Sequence, residues 1–506
     1  MPDSPMIFSS GIFLFLFLGF TLIYNILGKA DTLRILFVTL FSYYFYYKSS
    51  GFYFCLLALV TVSDYFIAKA IGGVGKGSLA KTLVFLSLLL DLGLLAFFKY
   101  TNFLGETICT LLGDLGIHVP ASISGSCIKS VAWQPREIFL PVGISFFTFQ
   151  SLSYTIDVYR GNIKPLNRLL DYAFYVSFFP QLVAGPIVRA RDFIPQIRRP
   201  LMVTDKMFGT GVFFIIAGLF KKAVISDYVS VNFVERIFDQ PDLYSGLENL
   251  LAVYGYTLQI YCDFSGYSDM AIGIALLLGF EFPKNFDNPY KSSSITEFWR
   301  RWHISLSSWL KDYLYISLGG NRHGKLRQYF NLLMTMLLGG LWHGASLNFI
   351  IWGGLHGLFL CIDKMWHSIC SALSPLTYLP SKRNPNPKKN WFIAIFGGLI
   401  TFHLVAACWV LFRASSSGVA EQIFHQIFYK FQPQIFLQWC QSYAAVGSLM
   451  LLGYILHFTP QSLSDKAKSF VTHSPLLVKA LLLVFLIFIV IQIKSSDVQP
   501  FIYFQF

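Results

Sequence analysis

Charged side chains are scarce in this chain of 506 residues. Asp, Glu, Lys and Arg together make up 13% of it, whereas a typical globular domain contains roughly 25%. Apolar residues reach 55% and aromatic residues 18%, with 52 Phe and 27 Tyr. So few charges cannot cover a soluble protein of this length, and the same composition excludes disordered, collagen-like and disulfide-scaffold classes. The sequence therefore predicts an integral membrane protein with many spans.

Acidic residues are fewer than basic ones. The sequence has 26 Asp and Glu against 39 Lys and Arg, which gives a net charge of +13. In a soluble protein this excess would favour nucleic-acid binding. In a membrane protein, basic loops set the topology and contact anionic headgroups, so we predict membrane lipids as partners and no nucleic acid. Five basic residues in 189–206 and eight in 284–327 place these segments in the cytoplasm. Segment 227–248 holds only Arg236, so we expect it, and the amino terminus, outside.

The motifs of common soluble enzymes are missing. GGVGKGS at 72–78 lacks the Gly-Lys-Ser/Thr ending of a phosphate loop, no Ser lies in a GxSxG elbow, and no two His have zinc-ligand spacing. The eight Cys form no CxxC pair, so we predict no metal site and no obligatory disulfide, with Cys109–Cys127 as a remote exception. The amino terminus lacks the basic stretch of a signal peptide, so the first apolar run is expected to be an uncleaved span. No internal repeat is evident, which weakens a transporter built from duplicated halves.

Long apolar runs predict an all-α polytopic membrane protein, because only helices satisfy their own backbone within lipid unless strands close a barrel. We expect about eleven transmembrane helices, plus re-entrant or interfacial ones, in a single polytopic domain. Its expected parts are N-terminal helices at 1–99, a core at 100–363, a basic linker at 364–390 and C-terminal helices at 391–506. The candidate spans are 7–27, 35–47, 52–71, 82–98, 138–156, 169–187, 207–225, 249–280, 331–361 (with a break at Gly344), 391–412, 443–457 and 476–493.

His343 is the first candidate for chemistry, because it lies in the middle of the apolar stretch LLGGLWHGASLNF. Helical spacing would put Gly339 and Gly340 one turn before it and Ser346 one turn after it. These small neighbours leave room for a substrate or for another helix. A desolvated, neutral imidazole can act as a general base on a hydroxyl, but it can equally hydrogen-bond between tightly packed helices.

The segment SSSITEFWRRWHISLSSWLKDYLY at 292–315 is the second candidate. As one helix it would carry an aromatic stripe on one face and basic residues on the other, as helices in the headgroup region do. Ser294 and Glu297 predict a capping box at its start. His303 lies among these charges and could be an ordinary surface residue. The basic residues could bind phosphates of lipid or of a donor such as coenzyme A.

Polar side chains within the predicted span 249–280 are the third candidate. Gln259, Asp263 and Asp269 lie there, and intramembrane carboxylates are often functional. A structural role, accepting hydrogen bonds from neighbouring helices or pairing with an Arg, suits these residues about equally well. Pro and Gly residues also interrupt the stretches 139–161 and 178–193, and such broken helices commonly line cavities.

Taken together, these stretches resemble the membrane-bound O-acyltransferase family, and in particular its bacterial branch that acetylates alginate and peptidoglycan. The resemblance rests on FWRRWHISLSSWLKDYLYISLGGNR followed by LLGGLWHGASLNFIIWG, and it covers roughly 100–360. Ser317 departs from the Pro that such sequences usually have before LGG, which affects a turn rather than a chemical group.

The resemblance implies a helical core with a central funnel or tunnel, and a bacterial cytoplasmic (inner) membrane location. It implies that His343 and His303 are the catalytic histidines, with Trp299, Arg300, Arg301 and Asn348 on the donor side. Acetyl-CoA would be the donor substrate, with no permanently bound cofactor. A cell-envelope polysaccharide would be the acceptor, and an exported SGNH-type acetyltransferase would be the partner.

Two other functions remain open from the residues alone. A transporter or flippase for a carbohydrate or lipid-linked substrate would suit Asp263, Asp269 and the broken helices. A scaffold that only recruits an external acetyltransferase would tolerate loss of both histidines.

Overall fold

The computed structural model describes residues 6, 8, 10–28, 30–115, 138–373 and 391–493. Within these ranges the chain is built of helices, and no strand occurs, which confirms the predicted all-α class. The Cys109–Cys127 pairing and most of the predicted linker 364–390 fall outside the described residues. Residues up to 201, together with 344–346, form one compact unit, and residues 202–343 with those from 347 onward form a second. The four-part division predicted from the sequence stays a prediction.

The first unit consists of long apolar helices followed by shorter ones. The predicted span at 169–187 is interrupted, because the helix stops at Ser177 and restarts for one turn at Phe179, with Pro180 in that first turn. The helices are α1 (Gly11–Ile26), α2 (Asp31–Ser50), α3 (Phe54–Val74), α4 (Ser78–Asp114), α5 (Ile144–Arg160), α6 (Leu169–Ser177), α7 (Phe179–Leu182) and α8 (Ala190–Ile197).

The break before α7 is stabilised by its packing. The Ser42 hydroxyl of α2 accepts a hydrogen bond from the backbone N–H of Phe179 across 3.1 Å. The Phe179 ring is completely buried, with ring centroids of Phe20 and Phe45 at 5.5 and 5.8 Å. A backbone donor freed by a helix break is costly in an apolar interior, so this side-chain acceptor lets the broken helix remain buried.

The second unit contains the remaining helices. Wide π-helical turns at Phe220–Ser226, Ser230–Val234 and Leu310–Tyr315 extend some of them. The helices are α9 (Asp205–Leu219), α10 (Gly246–Leu277), α11 (Ile295–Arg301), α12 (Ile304–Trp309), α13 (Gly324–His343), α14 (Leu347–Leu373), α15 (Trp391–Arg413), α16 (Ser417–Tyr429), α17 (Phe436–Ser442), α18 (Ala444–Phe458), α19 (Gln461–His473) and α20 (Leu476–Ile493).

Glycines bring α9 and α10 into close contact in this unit. A Cβ at Gly218 of α9 would lie 2.4 Å from the carbonyl oxygen of Gly266 of α10, and one at Gly273 would lie 2.6 Å from that of Gly211. The two glycine pairs are seven residues apart on each helix, so the backbones touch at both places. In a bilayer the hydrophobic effect does not drive helices together, because the lipid tails are as apolar as the side chains. Close contacts between small residues drive helix association there instead.

Five helical stretches of the described chain are long and apolar enough to cross a bilayer, judged by length and composition. The bent pair Pro433–Ser442 and Ala444–Phe458, with an angle of 98°, could form a sixth. The chain is thus a multi-pass membrane protein, and the count of about eleven spans stays a prediction. The five stretches are Asp31–Val74, Ser78–Asp114, Asp205–Asp239, Ala394–Arg413 and Leu476–Ile493.

Candidate active site

The segment 292–315 does not form the single amphipathic helix predicted from its aromatic stripe. Helix α11 ends at Arg301, and α12 begins at Ile304. Between them His303 adopts a left-handed backbone with φ 42° and ψ 57°. This conformation is strained for a residue other than glycine and costs roughly 1–3 kcal/mol, so the surrounding contacts must enforce it.

Asn285 supplies those contacts. Its Oδ1 lies 3.2 Å from Nδ1 of His303 and accepts hydrogen bonds from the backbone N–H and the hydroxyl of Ser305, at 3.2 and 2.9 Å. Its Nδ2 donates to the Ser268 hydroxyl of α10 at 3.0 Å. Because the amide oxygen is the acceptor here, Nδ1 of His303 carries the proton and Nε2 is the acceptor nitrogen of the ring.

His303 is therefore a buried residue, contrary to the surface location that its charged neighbours suggested. It has no exposed area, and its ring lies 4.6 Å from that of Phe264, centroid to centroid. Burial lowers the pKa of His303 to about 3. The imidazole is neutral at physiological pH, with one nitrogen able to accept a proton or a hydrogen bond.

His343 is the last residue of α13, so Ser346 does not continue its helix face as predicted. The predicted interruption at Gly344 is confirmed, since α14 begins at Leu347. The space expected beside the glycines is filled by another helix, because a Cβ at Gly340 would lie 2.2 Å from the carbonyl oxygen of Phe349. The close α13–α14 contact fixes the position of the imidazole.

Aromatic rings surround His343, which is 3% exposed. Trp342 and Trp352 lie 5.0 Å from its ring, and Phe412 lies 5.2 Å away, centroid to centroid. Trp342 also lies 6.4 Å from the ring of His303. The two histidines singled out from the sequence therefore share one aromatic neighbour within the same unit.

A third buried histidine, His356, was missed in the sequence. It lies one turn after Trp352 on α14, with ring centroids 4.7 Å apart. Its Nδ1 accepts a hydrogen bond from the indole N–H of Trp299 at 3.3 Å. A histidine inside an apolar run is the same sequence signal that singled out His343, so His356 could have been identified. Its hydrogen-bond partner could not have been inferred, because Trp299 is 57 residues away in the chain.

A cavity of about 620 Å³ lies beside Trp299. Trp299 and Arg300 line it, as do the cationic side chains Lys311, Arg322 and Lys364. Apolar residues such as Leu310 and Leu332 form part of its wall, and its size is within the roughly 300–1,000 Å³ typical of small-ligand sites. The lining does not include His343. A cavity with apolar walls and four cations suits a ligand that has both an apolar part and phosphate groups.

Arg301 and Asn348, predicted on the donor side, do not line this cavity. Arg301 forms ion pairs with Glu297 and Asp287, at 2.8 and 3.5 Å. Asn348 donates to the carbonyl oxygen of Ala414 at 3.2 Å and accepts from Ser417 at 2.6 Å. The side chains of Arg301 and Asn348 thus each hold two segments of the chain together.

The start of α11 follows the predicted capping box only in part. The Ser294 hydroxyl accepts from the backbone N–H of Glu297 at 3.2 Å, but the Glu297 carboxylate binds the backbone N–H of Ser293 rather than that of Ser294. Burial opposes ionisation of Glu297, but hydrogen bonds from Ser293 and Arg301 outweigh it and lower its pKa. A hydrogen bond from Lys284 likewise lowers the pKa of Asp287.

The two carboxylates of α10 that were predicted to lie within a span are paired with lysines of the wide turn after α9. Asp269 forms an ion pair with Lys221 at 2.5 Å. Asp263 pairs with Lys222, which also contacts Asp227 at 2.7 Å. These ion pairs favour a structural role for Asp263 and Asp269. They also remove the main support for a transporter that would use the two carboxylates.

Gln259 has a similar structural environment on α10. Its Nε2 donates to the Ser230 hydroxyl at 2.8 Å, and its backbone carbonyl accepts from Ser226 at 3.2 Å. Both serines lie in the wide turns that follow α9. The amide therefore joins α10 to those turns.

Two further carboxyl groups in predicted spans were missed. Asp64 of α3 and Asp91 of α4, in the first unit, have no exposed area. Asp64 accepts hydrogen bonds from the hydroxyls of Ser87, at 2.8 Å, and Ser151. The sequence signal that could have identified both residues is a charged residue inside an apolar run, which is the signal that singled out Asp263.

Comparison with known proteins identifies a family and several relatives that this chain resembles. The sequence profile of the membrane-bound O-acyltransferase family (MBOAT) matches residues 159–406. The chain is 36% identical to a protein of Pseudomonas putida named "Probable alginate O-acetylase AlgI", over 99% of this chain and 100% of that protein. It is 41% identical to the protein of the same name from Pseudomonas aeruginosa, over 84% and 75% of the two chains. A peptidoglycan O-acetyltransferase of Helicobacter pylori is 35% identical over 81% and 77%.

The helical fold and these relatives are thus those of a membrane-embedded acyltransferase. The chain belongs to the membrane-bound O-acyltransferase family, and it is an O-acyltransferase whose relatives are named for O-acetyl transfer.

Proposed function

We propose that the chain takes an acetyl group from acetyl-CoA on the cytoplasmic side of a bacterial cytoplasmic membrane and passes it outward to hydroxyls of a cell-envelope polysaccharide. An exported SGNH-type protein would complete the transfer. The observation that supports this best is the cavity with four cationic side chains beside Trp299, in the segment whose basic residues predict a cytoplasmic location. The names of the relatives support acetyl as the group transferred.

The cavity suits a nucleotide thioester in two respects. Arg300, Lys311, Arg322 and Lys364 can bind the phosphates through charge-assisted hydrogen bonds. The apolar part of the wall can pack against the pantetheine arm and leave the thioester end near Trp299. The polar and apolar parts of one ligand would thus bind different parts of one cavity.

His343 would act on the acceptor. The hydroxyl oxygen attacks the thioester carbonyl carbon, the new C–O bond forms and the C–S bond breaks. The hydroxyl proton moves to the neutral imidazole of His343 and from there to the thiolate sulfur of coenzyme A, so charge and protons balance. A positioned base of this kind is worth roughly 10²–10⁴-fold in rate.

The rings between the cavity and His343 must move before the reacting groups meet. Trp299 lines the cavity, and Trp352 contacts both Trp299 and His343, at centroid distances of 5.8 and 5.0 Å. Because the cavity lining does not include His343, rotation of these indoles would open the passage. His303, with Nε2 as its acceptor nitrogen, would orient a donor group on the same side.

The direct test uses purified full-length chain in proteoliposomes with radiolabelled acetyl-CoA and a soluble oligosaccharide acceptor. His343→Gln should retain donor binding but lose at least about 10²-fold in transfer. His473→Gln, at an exposed histidine of α19, is the matched control and should transfer at the normal rate. Full transfer by the His343 variant would contradict the role of His343, and tolerance of losing both His303 and His343 would favour a scaffold.

The cell-level test addresses the acceptor. Mass analysis of envelope glycans, with and without the chain, should show O-linked acetate on one polysaccharide only when the chain and its donor cavity are intact. Arg300→Ala should reduce that acetate. Unchanged glycan acetylation in the absence of the chain would contradict a polysaccharide acceptor.

A further inference from the structure

A second cavity, of about 430 Å³, shares no residue with the cavity beside Trp299. The turn before α10, the end of α16 and the bend between α17 and α18 form it. Tyr244 and Glu248, which line it, belong to segment 227–248, whose low content of basic residues predicts the outer side of the membrane. The cavity therefore lies where a ligand from outside the cytoplasm could reach it.

Aromatic rings and hydrogen-bonding side chains both line this cavity. The rings are those of Tyr244, Trp439 and Tyr443, and the polar groups include the Glu248 carboxylate and the amides of Gln432 and Gln438. Carboxylates accept hydrogen bonds from hydroxyls, and amides both donate and accept. Aromatic faces pack against the C–H faces of a ring while their polar tips stay hydrogen-bonded. A sugar ring, with hydroxyls on its edge and C–H groups on its faces, matches this lining.

The charge of the lining selects among sugars. Asp242 and Glu248 face a single cation, Lys430, in the cavity. Two carboxylates and one lysine repel a polyanion at short range.

We propose that this cavity binds a neutral saccharide unit of the acceptor polysaccharide. A buried donor supports the assignment: Trp439 is 7% exposed, and its indole N–H has no hydrogen-bond partner among the described residues. A buried donor without a partner is unfavourable. A sugar hydroxyl that accepts this hydrogen bond would remove the unfavourable contribution on binding.

The cavity wall is rigid before any ligand binds. The hydroxyl and backbone N–H of Ser245 both donate to one oxygen of the Glu248 carboxylate at 2.9 Å, in a capping box at the start of α10. The backbone N–H of Gly246 donates to the carbonyl oxygen of Lys430 at 3.0 Å, and a Cβ at Gly246 would lie 2.1 Å from that of Gln426. Preorganised groups lose little entropy on binding, which favours a specific site.

This proposal rests on the proposed function, because that function identifies the polymer as the acceptor polysaccharide. Saccharide binding is measured without an acyl donor. Saccharide binding and acetyl transfer can therefore fail independently of each other. Isothermal titration of the full-length chain in nanodiscs uses a neutral β-1,4-linked N-acetylglucosamine tetramer. Saturable binding is expected, with Gln438→Ala and Trp439→Phe each weakening it about five- to tenfold, as for one lost hydrogen bond. Trp439→Phe keeps an aromatic ring and removes only the N–H and part of the indole.

Tyr429→Ala is the matched control, because Tyr429 is an exposed aromatic residue of α16 that does not line the cavity; its affinity should be unchanged. A mannuronate tetramer and glycerophosphoethanolamine serve as competing ligands and should bind more weakly than the neutral tetramer. Tighter binding of either one, or neutral binding that Gln438→Ala and Trp439→Phe leave intact, would overturn the proposal. Absence of saturable neutral binding would do the same.

Discussion

The indole N–H of Trp299 donates a hydrogen bond to Nδ1 of His356 across 3.3 Å. Trp299 lines the cavity proposed for the donor, and His356 packs edge-to-face against Trp352, which in turn packs against His343. The hydrogen bond therefore fixes one wall of the cavity relative to the ring that covers the proposed base. We regard His356 as a positioning residue, because it acts through Trp299 and Trp352.

A double-mutant cycle tests this hydrogen bond. His356→Leu removes the acceptor and leaves the indole N–H of Trp299 buried without a partner, while Trp299→Phe removes the donor. Each single change should raise KM for acetyl-CoA several-fold and lower kcat less. The double variant should be no worse than the worse single one, with a coupling energy of roughly 1–1.5 kcal/mol. Additive effects on KM would show that the two side chains act independently.

The buried imidazole of His303 predicts an acid-sensitive stability. Its pKa is lowered to about 3 by burial, whereas an unfolded His titrates near 6.5. Between these values the unfolded state binds the extra proton, so stability is constant above about pH 6.5 and falls by up to about 1.4 kcal/mol per pH unit below it.

His303→Asn isolates this contribution, because Asn tolerates the left-handed backbone and does not titrate. The difference in thermal midpoint between this variant and the wild-type chain, measured in nanodiscs from pH 7.5 to 4.5, should be constant above pH 6.5. Below pH 6.5 the wild-type chain should lose stability faster. Parallel curves over the whole range would mean that His303 is protonated in the folded protein.

Much of the fold could be predicted from the sequence, because helices are the one solution for most long apolar runs in lipid. The break at Gly344 was also predictable, and α13 ends at His343 as expected. The turn at His303 was not, since the aromatic stripe continues through it. Its left-handed backbone depends on Asn285, which lies 18 residues earlier in the chain.

The candidate site was predictable in its single residues but not in its pairs. His343 and His303 stood out by type and position, and Trp299 and Arg300 do line one cavity. Arg301, by contrast, has the same charge as Arg300 but is held by Glu297 and Asp287. A sequence does not show which of two neighbouring arginines faces a cavity, because successive side chains of a helix point about 100° apart.

The lysine pair after α9 predicts an asymmetric response to neutralisation. Lys222 contacts both Asp227 and Asp263, and its side chain is 2% exposed. Lys222→Met removes the cation shared by the buried Asp263 and the partly exposed Asp227 and should cost roughly 3–5 kcal/mol. Asp263→Asn leaves Lys222 paired with Asp227 and should cost clearly less.

Thermal midpoints in detergent, read from tryptophan fluorescence, compare these variants. Lys221→Met is the matched control, because the Lys221–Asp269 pair is more exposed and its loss should be less damaging. Equal midpoints for Lys222→Met and Asp263→Asn would show that Lys222 does not hold the two carboxylates together.

The carboxyl groups of Asp64 and Asp91 in the first unit have no exposed area, and burying two negative charges would be very costly. Asp64 already accepts hydrogen bonds from Ser87 and Ser151, whereas neither carboxyl oxygen of Asp91 has a hydrogen-bond partner among the described residues, so we predict that Asp91 carries a proton and can donate it to Asp64. Asp91→Asn replaces the acid O–H with an amide N–H, which can donate in the same place. We therefore expect Asp91→Asn to change the free energy of unfolding by less than about 1 kcal/mol. Asp91→Leu removes the donor and should cost roughly 1–3 kcal/mol, because Asp64 then stays buried with a less satisfied charge. Thermal midpoints of the two variants at pH 7 measure the difference, and equal destabilisation by both would mean that Asp91 is not the protonated partner.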